Sequence, residues 1–234
     1  MLLVPAEASE QVAAGRAAVM VDVLRSATTM ATALDAGCRE IIPASGIEEA
    51  RRLADTLGRD HVLLCGEREG RRIEGFDLGN SPLEFLSQTV GDRAVIMTTT
   101  NGTPVISQLR QASLVAAAGL VNVSAVYQVL KKSGLDAVVV CAGKLGRFSL
   151  EDAIGAGAIA DQAASDKYIL GDGAKVARML FRKYRKNLLR ILSATEHGAY
   201  LLNLGFGDDI AFCASLDRTA TVPVLYDGRI ISQR

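Results

Sequence analysis

The stretch Ala17–Thr29, with the sequence AAVMVDVLRSATT, decides the fold of this chain. An apolar run of strand length comes first, and a polar turn that begins at Asp22 follows it directly. The alanine-rich segment Thr28–Gly37 then predicts a helix that ends at a glycine. Strand ends that lead into helix N-termini attract anions, because free backbone N–H groups and the helix dipole point at the same place. The stretch therefore predicts a buried strand and a binding edge.

Apolar runs of strand length recur through the first two thirds of the chain. Most are continuous rather than alternating, which is typical of strands that are covered on both faces. Helical spacing separates several of them, as in Gly46–Gly58 and Asn122–Ser133. This alternation predicts an α/β fold, with helices on both faces of a largely parallel or mixed sheet and ligands at the carboxyl ends of the strands. The predicted strands are Ala18–Leu24, Glu40–Ala44, His61–Gly66, Ala94–Thr99, Leu114–Ala118 and Ala137–Cys141.

The C-terminal third differs, because helical patterns replace the alternation. No linker divides residues 1–234, so a single domain is predicted. The segment Val138–Gly143 and the helix after it echo the opening stretch, which fits either a weak internal duplication or the ordinary repetition of strand–loop–helix units. Asp227-Gly228 predicts the turn of a terminal hairpin. The predicted helices are Ser149–Ala164, with Ser149 as N-cap, Asp172–Lys186 and Asn187–Leu204, and the hairpin strands are Val222–Leu225 and Arg229–Ile231.

Composition excludes several classes of function. The 234 residues are 49% hydrophobic, enough for a substantial core, and 26 basic residues balance 26 acidic ones. The balanced charge and the absence of Trp argue against a nucleic-acid partner. No apolar run reaches membrane-spanning length and no secretory signal is evident, so we expect a cytoplasmic protein with no membrane partner. Four widely spaced cysteines form no metal or redox motif, and we expect them to be buried.

Two further polar stretches have the composition of ligand-binding loops. Phe76–Pro82, FDLGNSP, offers an acid, an amide and a hydroxyl, although Ser81 could also cap a helix that begins at Pro82. Thr98–Thr103, TTTNGT, combines four hydroxyls with an amide and a glycine, and it follows an apolar strand. Neither GxxxxGK[ST] nor GxGxxG is present, which favours a small phosphoester over a whole nucleotide.

Acidic residues follow several of the predicted strands. Asp22 closes the first strand, Glu67 ends another, and Glu151 and Asp152 open a helix behind a third. Such acids are ordinarily caps, exposed loop acids or partners of the helix dipole. Their convergence would instead suit Mg²⁺, which prefers oxygen ligands and retains waters. His197 is a candidate general acid, although a satisfied or solvated histidine is the ordinary case.

These motifs together resemble the signature blocks of the 2-phosphosulfolactate phosphatase family. The resemblance runs through nearly the whole chain in the family's order, and the block GFDLGNSP is its most specific part. It implies a three-layer α/β/α sandwich and a Mg²⁺-dependent hydrolase that cleaves 2-phosphosulfolactate to 3-sulfolactate and phosphate, in coenzyme M biosynthesis or in sulfolactate formation. Met1–Glu10 departs from the family by lacking an apolar first strand. The matching segments are Val21–Arg25, Gly66–Arg68, Gly75–Pro82, Thr99–Thr103, Cys141–Gly143, Phe148–Asp152, Asp209-Ile210, Cys213, Asp217 and Val222-Pro223.

The matching residues give a candidate site for a small anionic phosphoester, with Mg²⁺ as cofactor. Basic, hydroxyl and amide side chains would bind the substrate, and Mg²⁺ would offset charge on the phosphoryl oxygens. Either water attacks phosphorus directly, which the lack of a DxDx[TV] motif favours, or Asp22 forms an acyl-phosphate. A homodimer is a possible assembly. The candidate catalytic residues are Asp22, Glu67, Asp77 and Asp152, the candidate metal ligands are Asp22, Glu67, Glu151 and Asp152, and the candidate substrate-binding residues are Arg25, Thr28, Asn80, Ser81, Thr99, Thr100, Asn101, Lys144 and Arg147.

Three other functions stay open from the sequence. The first is a phosphatase for another small phosphorylated hydroxy acid. The second is a non-catalytic protein that binds small anions, which the acids at strand ends disfavour because carboxylates repel anions unless a cation intervenes. The third is a thiol enzyme that uses Cys141, which alkylation would inactivate.

Overall fold

A mixed sheet of nine strands runs through the protein, in a computed structural model that describes residues 1–233. The strands are β1 (Ala17–Val21), β2 (Glu40–Pro43), β3 (Val62–Arg68), β4 (Arg71–Arg72), β5 (Ala94–Thr98), β6 (Leu114–Ala118), β7 (Ala137–Cys141), β8 (Val222–Tyr226) and β9 (Arg229–Gln233). Their order across the sheet is β4-β3-β5-β2-β9-β8-β6-β1-β7.

Eleven α-helices in the described part of the chain connect and cover these strands. They are α1 (Glu10–Ala13), α2 (Ser26–Asp35), α3 (Ile47–Leu57), α4 (Ser87–Val90), α5 (Gly102–Gln108), α6 (Val123–Ser133), α7 (Leu150–Ser165), α8 (Asp172–Tyr184), α9 (Leu188–Ala194), α10 (Glu196–Asn203) and α11 (Gly207–Cys213). Short 3₁₀ segments lie at Pro5–Glu7, Pro82–Glu84 and Leu120–Asn122.

The α/β fold and the helical C-terminal third are confirmed, and most predicted elements are present with slightly shifted ends. Ser149 caps α7 as predicted, because its hydroxyl accepts the Asp152 N–H at 3.2 Å. The single helix predicted over Asn187–Leu204 is wrong, since the region forms α9 and α10. Thr195 separates them, because its backbone is extended and its hydroxyl caps α10 through the Gly198 N–H.

The terminal hairpin joins two groups of parallel strands. β3, β5 and β2 form one group, and β6, β1 and β7 form the other. β8 and β9 lie between the groups and pair antiparallel with β6 and β2, so the two groups run in opposite directions. Asp227 and Gly228 turn the hairpin with φ values of 48° and 75°, as a tight two-residue turn requires.

The sheet curves round helix α2, which is buried along nearly its whole length. Met30 of α2 lies in one apolar cluster with Met20 of β1 and Met97 of β5, although four strands separate β1 from β5. Adjacent strands rotate by roughly 20–25°, so the five steps between β1 and β5 turn their directions by about 100° or more. This accumulated twist brings the carboxyl ends of β1 and β5 together above the N-terminus of α2.

Helices cover both faces of the sheet. Along β1, the side chains of Val19 and Val21 belong to one apolar cluster and those of Ala18 and Met20 to another, as the alternation of a strand requires. The first cluster includes residues of α6, α7 and the C-terminal helices, and the second includes residues of α2 and α5. A third cluster joins α3 to β3 and β5.

The start of the chain and the cysteines complete the fold. Leu2 forms an isolated parallel bridge with Val140, so the segment that lacks a family-like first strand adds one paired residue beside β7. All four cysteines are free and buried, as expected. In residues 1–233, no helix combines the length and the hydropathy needed to cross a bilayer.

Candidate active site

A cavity of about 450 Å³ opens where the ends of β1, β3 and β5 meet. It brings the three polar stretches of the sequence together, although the strands before two of them run in opposite directions. Eight predicted residues line it: Asp22, Arg25, Glu67, Asn80, Thr99, Thr100, Asn101 and Lys144. The other lining residues are Leu24, Ser26, Arg68, Glu69, Gly70, Leu145, His197 and Tyr200.

Asp22 is the buried carboxylate at the end of β1. Its Oδ1 accepts the Ser26 N–H at 3.1 Å, whereas its Oδ2 accepts no hydrogen bond from residues 1–233. A Cβ at Gly102 would lie 2.8 Å from Oδ2, so α5 approaches this closely because its first residue is glycine. Burial, and then the carboxylates of Glu67 and Glu151, raise the pKa of Asp22 to about 7.

Hydrogen bonds from side chains to other side chains and to the backbone fix the positions of the three strand ends relative to one another. Ser26 Oγ donates to Thr99 Oγ1 at 3.0 Å, which joins the end of β1 to the end of β5. Glu67 at the end of β3 accepts the Thr100 N–H through Oε1 and the Gly70 N–H through Oε2, both at 2.8 Å. The Glu67 carboxylate is therefore fixed in the cavity wall with both oxygens engaged.

Three buried polar atoms on lining residues have no hydrogen-bond partner within residues 1–233. They are Asn80 Oδ1, Thr100 Oγ1 and His197 Nδ1. A fourth such atom, Ser232 Oγ, lies away from the cavity in β9. Buried polar groups are ordinarily paired in folded proteins, and unpaired ones call for an explanation. Their concentration round one cavity indicates a polar ligand there.

Arg25 is buried and already paired. Its Nη1 lies 2.6 Å from Asp209 Oδ2, its Nη2 donates to the Gly70 carbonyl at 2.7 Å, and its Cζ lies 4.3 Å from the Phe206 ring centroid. Ser81 Oγ donates to the other Asp209 oxygen at 2.7 Å. Asp209 therefore engages two groups that were predicted to bind substrate.

Lys144, His197 and Tyr200 form a cationic and aromatic wall of the cavity. Lys144 Nζ lies 5.3 Å from the Tyr200 ring centroid and 3.1 Å from Glu196 Oε1. The His197 and Tyr200 rings stack with centroids 6.3 Å apart and an interplanar angle of 17°. Burial, and then the charges of Lys144 and Arg25, lower the pKa of His197 to about 4, so its ring is neutral at pH 7.

Glu151 and Asp152 do not belong to the residues that line the cavity. The two oxygens of Asp152 accept the N–H groups of Val23 and Gly143, each at 2.9 Å, and so tie the ends of β1 and β7 together. Burial, and then the charges of Asp22 and Glu151, raise the pKa of Asp152. Burial also raises the pKa of Glu151. The geometry gives Asp152 a structural role.

Four other predicted residues also lie outside the lining, and their proposed roles stay predictions. One of them is Ser81, whose hydroxyl bonds Asp209. The Asp77 carboxylate accepts the Leu64 N–H at 2.7 Å and pairs with Arg59, which fixes the shape of the loop before Asn80. Thr28 Oγ1 donates to the Val23 carbonyl at 3.0 Å. Arg147 is exposed, and its backbone pairs with that of Lys144 in a turn.

The sequence profile of the 2-phosphosulpholactate phosphatase family matches residues 2–228. The chain belongs to this family. A probable 2-phosphosulfolactate phosphatase of Thermotoga maritima is 43% identical over 216 residues, which are 92% of each chain. Its counterpart in Caldanaerobacter subterraneus subsp. tengcongensis is 41% identical over 90% of this chain and 88% of its own. That of Pseudothermotoga lettingae is 40% identical over 100% of this chain and 98% of its own.

The oxygens that remain free in this phosphatase-family cavity fit Mg²⁺. Within the described residues 1–233, no three His, Cys, Asp or Glu side chains form a metal-binding group, so the four predicted acids do not converge as a cage. Mg²⁺ commonly takes one or two protein carboxylates and completes its octahedron with waters and substrate phosphate. Asp22 Oδ2 and the unpaired Asn80 Oδ1 match that requirement. A cation beside Asp22 would also favour the ionised carboxylate, against burial.

Several residues of the site carried little or no signal in the sequence. Asp209 belongs to a family-like segment, but nothing in its surroundings indicated that it would pair with Arg25. Tyr200 and His197 lie on a C-terminal helix with no strand end or glycine-rich loop beside them. The sequence makes His197 a candidate general acid, but only its position in the cavity distinguishes it from a structural histidine.

Proposed function

We propose that the protein is a Mg²⁺-dependent phosphatase that hydrolyses 2-phosphosulfolactate to 3-sulfolactate and phosphate. Its family consists of phosphoric-monoester hydrolases, and relatives named probable 2-phosphosulfolactate phosphatase align over nearly the whole chain. The role that the family resemblance implies, in coenzyme M biosynthesis or in sulfolactate formation, is part of the same proposal.

One observation carries the proposal: a single cavity combines buried carboxylates, unpaired polar atoms and a cationic wall. Asp22 and Glu67 supply the carboxylates, Thr100 supplies an unpaired hydroxyl, and Lys144 supplies positive charge. The substrate carries phosphate, sulfonate and carboxylate on three carbons, so it needs both a counter-cation and several donors. A site that bound anions alone would have little use for Asp22, because a carboxylate repels them.

Asp22 and Asn80 are the residues that would hold Mg²⁺. When bound, the ion would neutralise charge on the phosphoryl oxygens and orient them for displacement. Thr100 places an unpaired hydroxyl in the same cavity, where it can donate to the phosphoryl group, and Ser26 and Thr99 place two further hydroxyl oxygens there. Glu67 lines the same cavity, and in this proposal it accepts a proton from the attacking water.

In this scheme water attacks phosphorus directly. The new P–O bond forms as the ester P–O bond breaks, Glu67 takes the proton of the water, and the sulfolactate oxygen regains a proton from solvent. The alternative, attack by Asp22, would form an acyl-phosphate. Rapid quenching of a single turnover with phosphorus-labelled substrate distinguishes the two, because labelled protein would accumulate only by the second route.

Phosphate release from a panel of substrates tests the function. We expect wild-type protein with Mg²⁺ to release phosphate from 2-phosphosulfolactate, and a chelator to stop the reaction. 2-Phospholactate, which lacks the sulfonate, should react with a lower kcat/KM. A preference for a different phosphorylated hydroxy acid would instead support a phosphatase for that substrate. Tight binding with no phosphate release, with or without Mg²⁺, would support the anion-binding protein.

A further inference from the structure

His197 contributes a buried ring nitrogen that nothing in residues 1–233 engages. Its Nδ1 has no hydrogen-bond partner in the part of the chain that the structure describes, and the ring lines the cavity. Buried polar atoms are ordinarily paired, so this nitrogen is available to a ligand. Stacking on Tyr200 holds the ring plane. A histidine whose ring plane is held and whose Nδ1 is buried and unpaired is oriented for binding.

The charged groups that face this ring come from three other elements. Lys144 lies on the loop after β7, Arg25 precedes α2, and Glu67 ends β3. Arg25 pairs with the buried Asp209, whereas Lys144 pairs with the largely exposed carboxylate of Glu196, so Lys144 is the cation better able to attract a ligand at this wall. Lys144 Nζ and His197 both lie beside the Tyr200 ring, which places a cation and a free ring nitrogen on the same wall.

This wall differs in chemistry from the part of the cavity that holds Asp22, Ser26 and Thr99. There a carboxylate and hydroxyls fit a phosphoryl group that arrives with a divalent cation. At the Lys144 wall the ammonium and the free ring nitrogen fit an anion without a metal. A substrate with anionic groups at both ends can satisfy both parts at once.

We propose that His197 binds, through Nδ1, an anionic oxygen at the end of the substrate that does not carry the phosphate, and that the ring takes up a proton as the anion binds. This inference rests on the proposed function, since it concerns the same cavity and substrate. The proton comes from solvent, and the imidazolium then donates to the ligand through Nδ1–H. His197 thereby selects substrates with a second anionic group over simple phosphate esters.

Two substitutions separate the two nitrogens. In His197→Asn the side-chain amide can stand at the position of Nδ1 but leaves the position of Nε2 empty. In His197→Gln the amide can replace Nε2 but leaves no donor at Nδ1. The probes are 3-sulfolactate and inorganic phosphate, titrated calorimetrically with Mg²⁺ present, and thermal unfolding monitors each variant's fold.

We expect His197→Gln to weaken sulfolactate binding by about tenfold or more, because a charge-assisted hydrogen bond is lost. His197→Asn should lose less than His197→Gln, because its amide still donates a neutral hydrogen bond at the position of Nδ1. Phosphate should bind all three proteins alike. Wild-type protein should also take up protons with sulfolactate, as titrations in buffers of different ionisation enthalpy show, but not with phosphate.

The inference is wrong if His197→Gln binds sulfolactate with wild-type affinity, whether or not His197→Asn loses affinity. It is also wrong if a variant loses affinity for sulfolactate and phosphate equally, or if wild-type protein does not bind sulfolactate. If a variant does not fold, proton uptake by wild-type protein decides the question. If only the proposed function is wrong, the variants still show the expected differences in sulfolactate affinity, but wild-type protein releases no phosphate from 2-phosphosulfolactate.

Discussion

Arg25 Nη1 lies 2.6 Å from Asp209 Oδ2, and both side chains are almost completely buried. This pair joins the turn after β1 to α11, two segments that are 184 residues apart in the chain. Ser81 Oγ donates to the second Asp209 oxygen and thereby adds the GNSP loop to the network. The family-like segments that contain Arg25, Ser81 and Asp209 therefore meet in one network at the cavity wall.

Arg25→Met should lower the free energy of unfolding by about 3–5 kcal/mol, because Asp209 would remain as a buried and unpaired carboxylate. Removing both charges, in Arg25→Met with Asp209→Leu, should cost less than the sum of the two single substitutions. Chemical denaturation of the three variants measures this coupling. Additive losses would show that the pair does not stabilise the cavity wall.

Lys144→Met should raise KM for the trianionic substrate by about tenfold or more, because the Lys144 ammonium supplies positive charge to the cavity. Its ion pair with Glu196 is largely exposed on the acidic side, so stability should change by less than about 1 kcal/mol. Arg147→Met is the matched control on the same loop, since Arg147 is exposed and outside the lining. Equal effects of both substitutions on KM would contradict a specific role for Lys144.

Asp152→Asn should destabilise the protein by about 1–3 kcal/mol, because an amide offers only one acceptor to the two buried N–H groups of Val23 and Gly143. The variant should still bind Mg²⁺ with the affinity of wild type once conditions are chosen in which it is folded. Calorimetric titration with Mg²⁺ checks this point. A loss of Mg²⁺ affinity in a stable variant would instead support Asp152 as a metal ligand.

Asp22→Asn should stabilise the metal-free protein at pH 8, on the order of a few kcal/mol. Burial raises the folded-state pKa of Asp22 from 3.8 to about 7. Stability from such a group is fully present below the unfolded pKa and is lost as pH rises through the folded pKa. The advantage of the variant should therefore shrink as the pH falls from 8 toward 4, and Mg²⁺ should stabilise only the wild type. Thermal unfolding measures the stability difference between the variant and the wild type at each pH. A difference that stays constant from pH 8 to pH 4 would contradict a buried charge at Asp22.

Local patterns predicted most elements of this fold, because each follows from a short run of residues. The continuous run Ala17–Val21 gives a strand that is covered on both faces, and the Asp227-Gly228 pair gives the terminal hairpin. The order of the strands could not be predicted in this way. It depends on where the hairpin inserts, and β8 and β9 each pair with the neighbouring group through one registered residue pair, which is a weak and non-local signal.

The candidate site was predictable where polar residues directly follow buried strands. Asp22 and Thr99 lie in the cavity for that reason, although an accumulated sheet twist, rather than a common strand direction, brings them together. The partner of a side chain could not be predicted. The sequence predicts that Arg25 binds an anionic substrate together with the hydroxyls that follow it, whereas the structure pairs Arg25 with Asp209 from a distant helix.

Phosphate release in the presence of Mg²⁺ tests the central claim, that the Asp22 cavity hydrolyses 2-phosphosulfolactate, most directly. The comparison is between wild-type protein, Asp22→Asn and the control Asp77→Asn, with the folding of each confirmed by thermal unfolding. We predict that Asp77→Asn keeps the wild-type rate within about threefold, whereas Asp22→Asn loses about a thousandfold or more. A folded Asp22→Asn protein that releases phosphate at the wild-type rate, or a wild-type protein that releases none, would contradict the account.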